Sequence, residues 1–202
     1  MLNIAVLISG GGTNLQALID AQRAGRIPSG RIVLVVSDRA NAYGLVRARE
    51  NGIKAILLDK KTFPDSEIFN DKLLKTLKSH DIDIVVLAGF LSILEENVVK
   101  EYDYRMINIH PSLIPSFCGE GFYGLKVHEA ALKRGVKITG ATVHFVNGIP
   151  DGGDIILQKA VEVHEGDTPE QLQRRVMEEA EWQILPTAVE AVCSMRRKEC
   201  EK

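Results

Sequence analysis

The stretch Asn108-Ile109-His110-Pro111-Ser112 holds the residue types with the most obvious capacity for chemistry. Met106 to His110 reads as a strand, and a period of two puts Asn108 and His110 on one face at its C-terminal end. A carboxamide donor beside an imidazole suits stabilisation of a developing oxyanion, with the His able to give a proton near neutral pH. A single His is more commonly a satisfied structural residue. Its Asn neighbour and the nearby Pro111 and Pro115, which hold the following loop rigid, bring the catalytic reading level with that one.

Two further motifs could complete a site. Asp151-Gly152-Gly153 lies in a turn between apolar runs, where an Asp-Gly pair needs no catalytic explanation. Brought near His110, the carboxylate would raise the imidazole pKa and could take a proton from an attacking nucleophile. Ser9-Gly10-Gly11-Gly12-Thr13-Asn14 joins an apolar run to a helical pattern. Free amides at such a helix start attract an anion, and the glycines let the backbone approach it. Without Gly-Lys-Ser/Thr it is not a P-loop, and Leu15 occupies the third glycine position of a dinucleotide fingerprint. A plain strand-to-helix connection is the alternative. Asp38 could bind a ribose, although a turn suits it better.

These motifs need a scaffold. Apolar runs at Ile4–Ile8, Ile32–Val36, Ala55–Leu58 and Ile82–Ala88 alternate with helical patterns at Asn14–Gly25, Tyr43–Glu50 and Asp65–Ser79. In the last of these Ile68, Leu73, Leu74 and Leu77 share a face. Continuous apolar strands between helices predict an α/β fold of the open, doubly wound, Rossmann-like kind with a mainly parallel sheet. After the strand Met106–His110 and a helix over Val127–Lys133, the runs Ile138–Val146 and Ile155–Val163 predict antiparallel strands added in the C-terminal half. Thr168 is the expected N-cap of the last helix, with Pro169 in its first turn. The expected layout is a single domain over residues 1–202. It comprises a phosphate-binding half (about 1–100), a catalytic half (about 101–194) and a fraying charged tail (195–202).

Composition excludes several classes. The 202 residues carry 25 Lys and Arg against 27 Asp and Glu, a net charge of -2 that argues against binding nucleic acid or an anionic membrane. The run Ile84 to Leu91 is far short of the roughly 20 residues a membrane span needs. Three cysteines, Cys118, Cys193 and Cys200, without a Cys-x-x-Cys oppose a disulfide framework and a thiolate metal site. His80, His128, His144 and His164 lack metal-like spacing, so acid/base chemistry without a metal is expected, in a cytoplasmic protein.

With its motifs in this order, the chain resembles the phosphoribosylglycinamide formyltransferases over nearly its whole length, from Ile4-Ala5-Val6-Leu7-Ile8-Ser9-Gly10 to Glu181-Trp182-Gln183-Ile184-Leu185-Pro186. Asn-x-His-Pro-Ser with a later Asp-Gly-Gly marks the wider folate-dependent superfamily, and Ser-Gly-x-Gly-Thr-Asn marks the glycinamide ribonucleotide branch. The resemblance implies formyl transfer from 10-formyltetrahydrofolate to the ribonucleotide amine in purine biosynthesis. Asn108, His110 and Asp151 fall on the family's catalytic positions. Asn108 and protonated His110 would stabilise the oxyanion, Asp151 would keep His110 protonated, and Thr142 would orient a water. Gly11, Gly12, Thr13 and Asn14 match the loop that binds the ribonucleotide phosphate, and Glu181 an acid that contacts the ribonucleotide. Phe90, Leu91, Ser92, Ile93 and Leu94, together with Asn108, match the folate pocket. The implied partners are these two small molecules alone, acting on a monomer or homodimer.

The chain departs from the family at several positions. Ser92 stands where members often carry Arg, and Ser66 where a basic residue is usual, which leaves Lys60, Lys61 or Lys72 to meet the folate tail. Lys126 replaces one His of a Pro-Gly-Leu-His-x-His stretch, His128 keeps the other, and Asp154 stands where Pro is usual. Formyltetrahydrofolate deformylase, methionyl-tRNA formyltransferase and a catalytically silent nucleotide-binding module are the competing readings. The first two are disfavoured by the expected lack of appended domains, and the third by the intact Asn108, His110 and Asp151.

Overall fold

A computed structural model of the chain describes residues 1–200. One seven-stranded sheet in the order β3-β2-β1-β4-β5-β6-β7 runs through it. Its strands are β1 (Leu2–Ile8), β2 (Gly30–Ser37), β3 (Lys54–Leu57), β4 (Ile84–Leu87), β5 (Met106–His110), β6 (Ile138–Phe145) and β7 (Ile155–Glu162). The first five are parallel, and β6 and β7 add antiparallel to β5. The helices are α1 (Thr13–Arg23), α2 (Gly44–Glu50), α3 (Ser66–Lys78), α4 (Glu96–Glu101), α5 (Leu125–Arg134), α6 (Pro169–Val176) and α7 (Trp182–Cys200). The expected α/β class, parallel sheet and antiparallel addition all appear.

β1 explains why both faces are covered. Ile4, Val6 and Ile8 join one cluster with Leu15 and Leu18 of α1 and Leu185 and Val189 of α7, while Ala5 and Leu7 join Phe69, Leu73 and Leu77 of α3 in another. Alternate residues of a strand thus feed two cores, so every position must be apolar. Burying one such Leu or Ile contributes roughly 1.5–3 kcal/mol.

Three details differ from the sequence pattern. Ile68 on α3 is exposed and its neighbour Phe69 is buried, which rotates the apolar face by one residue. The short helix α4 was not apparent, because six residues with only Val98 and Val99 buried hold too little periodicity. α7 runs through the charged end as far as Cys200, and residues 201–202 of the expected tail lie outside the described residues. Among the described residues, no helix is long and apolar enough to cross a membrane.

Helix starts follow local chemistry. Asp65 accepts from the Ile68 amide at 2.8 Å to cap α3, and Thr168 with Gln171 forms a full capping box on α6, with Pro169 in its first turn. α1 differs. Its N-cap is Gly12, with φ 72° and no side chain to take up the first amides. Gly12 also lies against α2, where an added Cβ would come within 2.7 Å of the Gly44 Cα. Gly12→Ala is therefore expected to cost about 1–3 kcal/mol through both the left-handed φ and the backbone clash. Urea denaturation of the variant measures it, and unchanged stability would refute the tight fit of this loop on α2.

Candidate active site

β5 and β6 build the centre of the site. Their antiparallel register sets Asn108 opposite His144 and His110 opposite Thr142, so all four stand at the carboxyl end of β5. Ligands of open α/β sheets bind beyond that edge. Asp151 enters from the β6–β7 connection with φ 55°. Its Oδ2 lies 3.4 Å from His110 Nδ1 and accepts from the Gly119 amide at 2.8 Å, while its Oδ1 lies 3.5 Å from His144 Nε2 and 3.4 Å from Asn108 Nδ2. Asn108, His110 and Asp151, far apart in sequence, are thereby brought together. His144 belongs with them, although its place on an alternating strand gave no sign of this.

Hydrogen bonding fixes the proton on His110. Nε2 lies 2.9 Å from the Phe117 carbonyl, which can only accept, so Nε2 carries the hydrogen. Nδ1 then faces the Asp151 carboxylate with a lone pair when neutral and with a proton when charged. Burial pushes the His110 pKa down and is the largest influence. Asp151 and the Phe117 carbonyl oppose it, and the net direction is below the ordinary value. In the unliganded site the upward pull of Asp151 on the His110 pKa is thus outweighed by burial. Burial alone would raise the Asp151 pKa, but His144, His110 and the Gly119 amide together hold it below the usual carboxylate value.

Thr142 plays a different part from the one expected. Its hydroxyl donates to Ser112 O at 2.7 Å and accepts from the Ile114 amide at 3.1 Å and Gln158 Nε2 at 3.0 Å. With its only proton committed and its side chain buried, it does not suit the orienting of water. It pins the Pro111–Pro115 loop behind His110.

A cavity of about 750 Å³ opens beside this cluster. Leu87, Phe90, Leu91, Ile93, Leu94, Val99 and Val146 form apolar walls, and Asn108, His144 and Asp151 supply polar groups. All five residues of the expected folate segment, 90–94, line it. Ser92 is not free, since its hydroxyl donates to Asp38 Oδ2 at 2.6 Å. Lys60, Lys61 and Lys72 do not line the cavity; the cations that do are Arg39 and Lys126. His110 is not in the lining either, and its Nε2 is covered by Phe117.

The Gly-rich loop follows β1 on the same sheet edge, with only β4 between β1 and β5. Gly11 O accepts from Arg47 Nε at 2.9 Å, and Asn14 Nδ2 donates to Glu181 Oε2 at 2.5 Å. Glu181 is not a solvated helical Glu. It sits in a π-helical turn, Met177–Glu181, at 6% exposure. The π turn precedes Pro186 of α7, which has no N–H to return to the carbonyl four residues earlier, so regular α-helical bonding fails there. Burial pushes the Glu181 pKa up to about 7, with Asn14 opposing. This burial joins Glu181 to Asn14, while the Thr13 hydroxyl reaches Met177 Sδ of the same turn at 3.8 Å, and no local sequence signal announced either contact.

A carboxamide, two imidazoles and a carboxylate gathered beyond a central strand, beside an apolar cavity and a Gly-rich helix start, define an α/β domain of the enzyme kind with room for two ligands. The chain belongs to the formyl transferase family, whose sequence model matches residues 2–189. It is similar to the solved glycinamide ribonucleotide transformylase 1 of Symbiobacterium toebii, with 46% identity and a TM-score of 0.91 over 97% of this chain and 89% of that one. It is 40% identical to the phosphoribosylglycinamide formyltransferase of Haemophilus influenzae, across 94% of this chain and 86% of the relative. It is 38% identical to the chloroplastic phosphoribosylglycinamide formyltransferase of Arabidopsis thaliana over 96% of its own length, but spans only 66% of that protein.

The buried Glu181 gives a pH test. Its folded pKa near 7 lies above the unfolded value of 4.5, so the folded state holds the proton more tightly. Stability should fall as pH rises from about 4.5 to 7 and stay reduced above that. Glu181→Gln, which mimics the protonated form, is expected to be more stable than the parent by about 2 kcal/mol at pH 8, with the gap closing near pH 5. Thermal melts of both proteins across this range check it; equal melting temperatures at pH 8 would show that Glu181 is not held protonated by burial.

Proposed function

We propose that the chain transfers a formyl group from 10-formyltetrahydrofolate to the amine of glycinamide ribonucleotide, a step of purine biosynthesis. The observation that carries this reading is the convergence of Asn108, His110 and Asp151 at the carboxyl end of β5, beside the 90–94 cavity. The names of the similar proteins support the choice of substrates.

The residues fit both ligands. A flat aromatic ring system suits the apolar walls at 87–94, 99 and 146, with polar groups at one end to orient it. The unblocked amides at the Gly12–Asn14 helix start suit the ribonucleotide phosphate. Glu181, tied to Asn14, suits the sugar hydroxyls or the amine of the same ligand.

The co-substrate supplies an electrophilic formyl carbon. Attack by the amine forms a C–N bond, places negative charge on the formyl oxygen and leaves a proton to be lost from the nitrogen. Asn108 Nδ2 and His110 offer donors for that oxygen. Asp151 faces His110 Nδ1, so it stabilises the imidazolium when the oxyanion draws His110 into its charged form. Breakage of the bond to the departing folate nitrogen completes the transfer, with the amine proton passing to that nitrogen.

The decisive assay mixes purified protein with 10-formyltetrahydrofolate, with and without glycinamide ribonucleotide, and follows tetrahydrofolate release. Release only with the amine supports transfer, and equal release without it would identify a deformylase. His110→Ala and Asp151→Asn are each expected to lower kcat by about a hundredfold or more. Thr13→Ala and Asn14→Ala should raise KM for the ribonucleotide with a smaller effect on kcat. Near-normal turnover in both the His110 and Asp151 variants would remove the catalytic assignment.

A further inference from the structure

A second cavity, of about 320 Å³, runs along one stripe of α1, where Thr13, Gln16, Ala17 and Asp20 follow one another at helical spacing. Thr13 and Asp20 are about 10 Å apart along the helix, so the cavity leads away from the Gly-rich loop toward the connection that precedes β2. Arg26 of that connection, Arg47 of α2 and Trp182 at the start of α7 complete it. None of these residues lines the larger cavity beside β5. The proposed reaction gives this second cavity no role.

Its lining suits a flat ring that carries an anion. Trp182 is half-buried, and its indole N–H is shielded without an acceptor among the described residues, so the carbon part of the ring is what it offers a ligand. Ala17 contributes only a methyl, which leaves room above the helix. Asp20 Oδ1 accepts from Gln16 Nε2 at 2.9 Å, and the second carboxylate oxygen has no donor among the described residues. That oxygen favours a ring bearing an amine over one bearing an oxo group. Two guanidiniums against one acid make the cavity locally positive. Arg26 is exposed, with no side-chain partner among the described residues. Arg47 braces the Gly-rich loop, donating from Nε to Gly11 O at 2.9 Å and from Nη1 to Gln16 Oε1 at 3.2 Å.

We propose that this cavity is a second, regulatory site for an adenine nucleoside monophosphate, with the base on Trp182, its amine at Asp20 and the phosphate on the guanidiniums. An anion at Arg47 competes with Gly11 O for that guanidinium and adds negative charge near the amides of Gly12–Asn14. Trp182 directly follows Glu181, the partner of Asn14, so the occupant touches the neighbours of that pair on both sides. Occupancy therefore weakens the hold of the loop on the ribonucleotide phosphate. This last step rests on the reading of the loop as the phosphate site, whereas binding in the cavity does not.

Trp182 is the only tryptophan of the chain, so its emission reports on this cavity. Titration of the full-length protein with AMP should change that emission to saturation, with a Kd on the order of 0.1–1 mM. IMP, with an oxo group in place of the amine, and ribose 5-phosphate should each bind at least about tenfold more weakly. Ala17→Leu fills the space above the helix and Arg26→Gln removes the unpaired cation. Each should weaken AMP by about fivefold or more, with circular dichroism unchanged. In the transfer assay, saturating AMP should raise KM for glycinamide ribonucleotide by about two- to fivefold in the parent, with kcat unchanged, and have no effect in Ala17→Leu. An emission that ignores AMP, equal AMP affinity in the parent and both variants, or ribose 5-phosphate binding as tightly as AMP overturns the site. AMP binding that leaves KM unchanged overturns the regulatory role. Absence of turnover by the parent overturns the proposed function and the coupling to it, while AMP binding lost in the variants still establishes the site.

Discussion

The Asp151 carboxylate meets four polar groups from three separate parts of the chain. His110 and Asn108 come from β5, His144 from β6, and the Gly119 amide from the loop before α5. A buried carboxylate with fewer partners would take up a proton to escape burial. Here His144, His110 and the Gly119 amide together outweigh the burial and hold its pKa below the usual carboxylate value, and it ties the two imidazoles and the carboxamide to one point. Its own position carries a cost, because a non-glycine residue at φ 55° lies in a sparsely populated region. The adjoining turn sits hard against β6: a Cβ at Gly153 would fall 1.9 Å from the Phe145 carbonyl oxygen. The glycines after Asp151 therefore permit the close approach that puts its carboxylate over β5.

Much of this could be read from the residues in order. The parallel sheet followed from unbroken apolar runs, and the shared face of Asn108 and His110 from strand periodicity alone. What escaped depended on contacts between distant segments. His144 reaches the site only through the β5–β6 register, and no tight turn links these strands to set that register in sequence. Glu181 looks like any helical acid until α7 packs on α1 and the π turn directs it inward to Asn14. The cations at the cavity mouth were sought at Lys60, Lys61 and Lys72, but Arg39 and Lys126 come there from the ends of β2 and the start of α5. Loop paths of that kind have no periodicity to reveal them.

The distribution of charge follows from the same construction. With nearly balanced acids and bases, the protein has no strong overall field to draw in anionic ligands. Attraction has to be local: helix amides at the Gly-rich loop, and two exposed cations at the cavity mouth. Between them the walls are largely apolar, Asp38 and Glu181 are buried and Asp151 is engaged, which leaves Glu120 as the exposed acid of the cavity lining. Both proposed ligands would thus be held by their anionic ends, with their reactive groups directed toward β5.

In this arrangement the Phe117–Gly119 backbone occupies the groups that the proposed reaction would use. Phe117 O takes the His110 Nε2 proton, and Gly119 N donates to Asp151. Asn108 Nδ2 is engaged as well, 3.4 Å from Asp151 Oδ1 and 3.1 Å from His144 Nε2. His110, Asn108 and Asp151 thus find partners within the chain, which limits the cost of burying them without a ligand. Burial meanwhile keeps His110 inclined to neutrality. An oxyanion formed in place of the Phe117 carbonyl would reverse that inclination, because it adds a negative charge where only a dipole stood. His110 would then take its charged form between two anions, the oxyanion on Nε2 and Asp151 on Nδ1. Stabilisation of this kind acts mainly as charge develops and contributes little to binding the ground state, which is the condition for lowering a barrier.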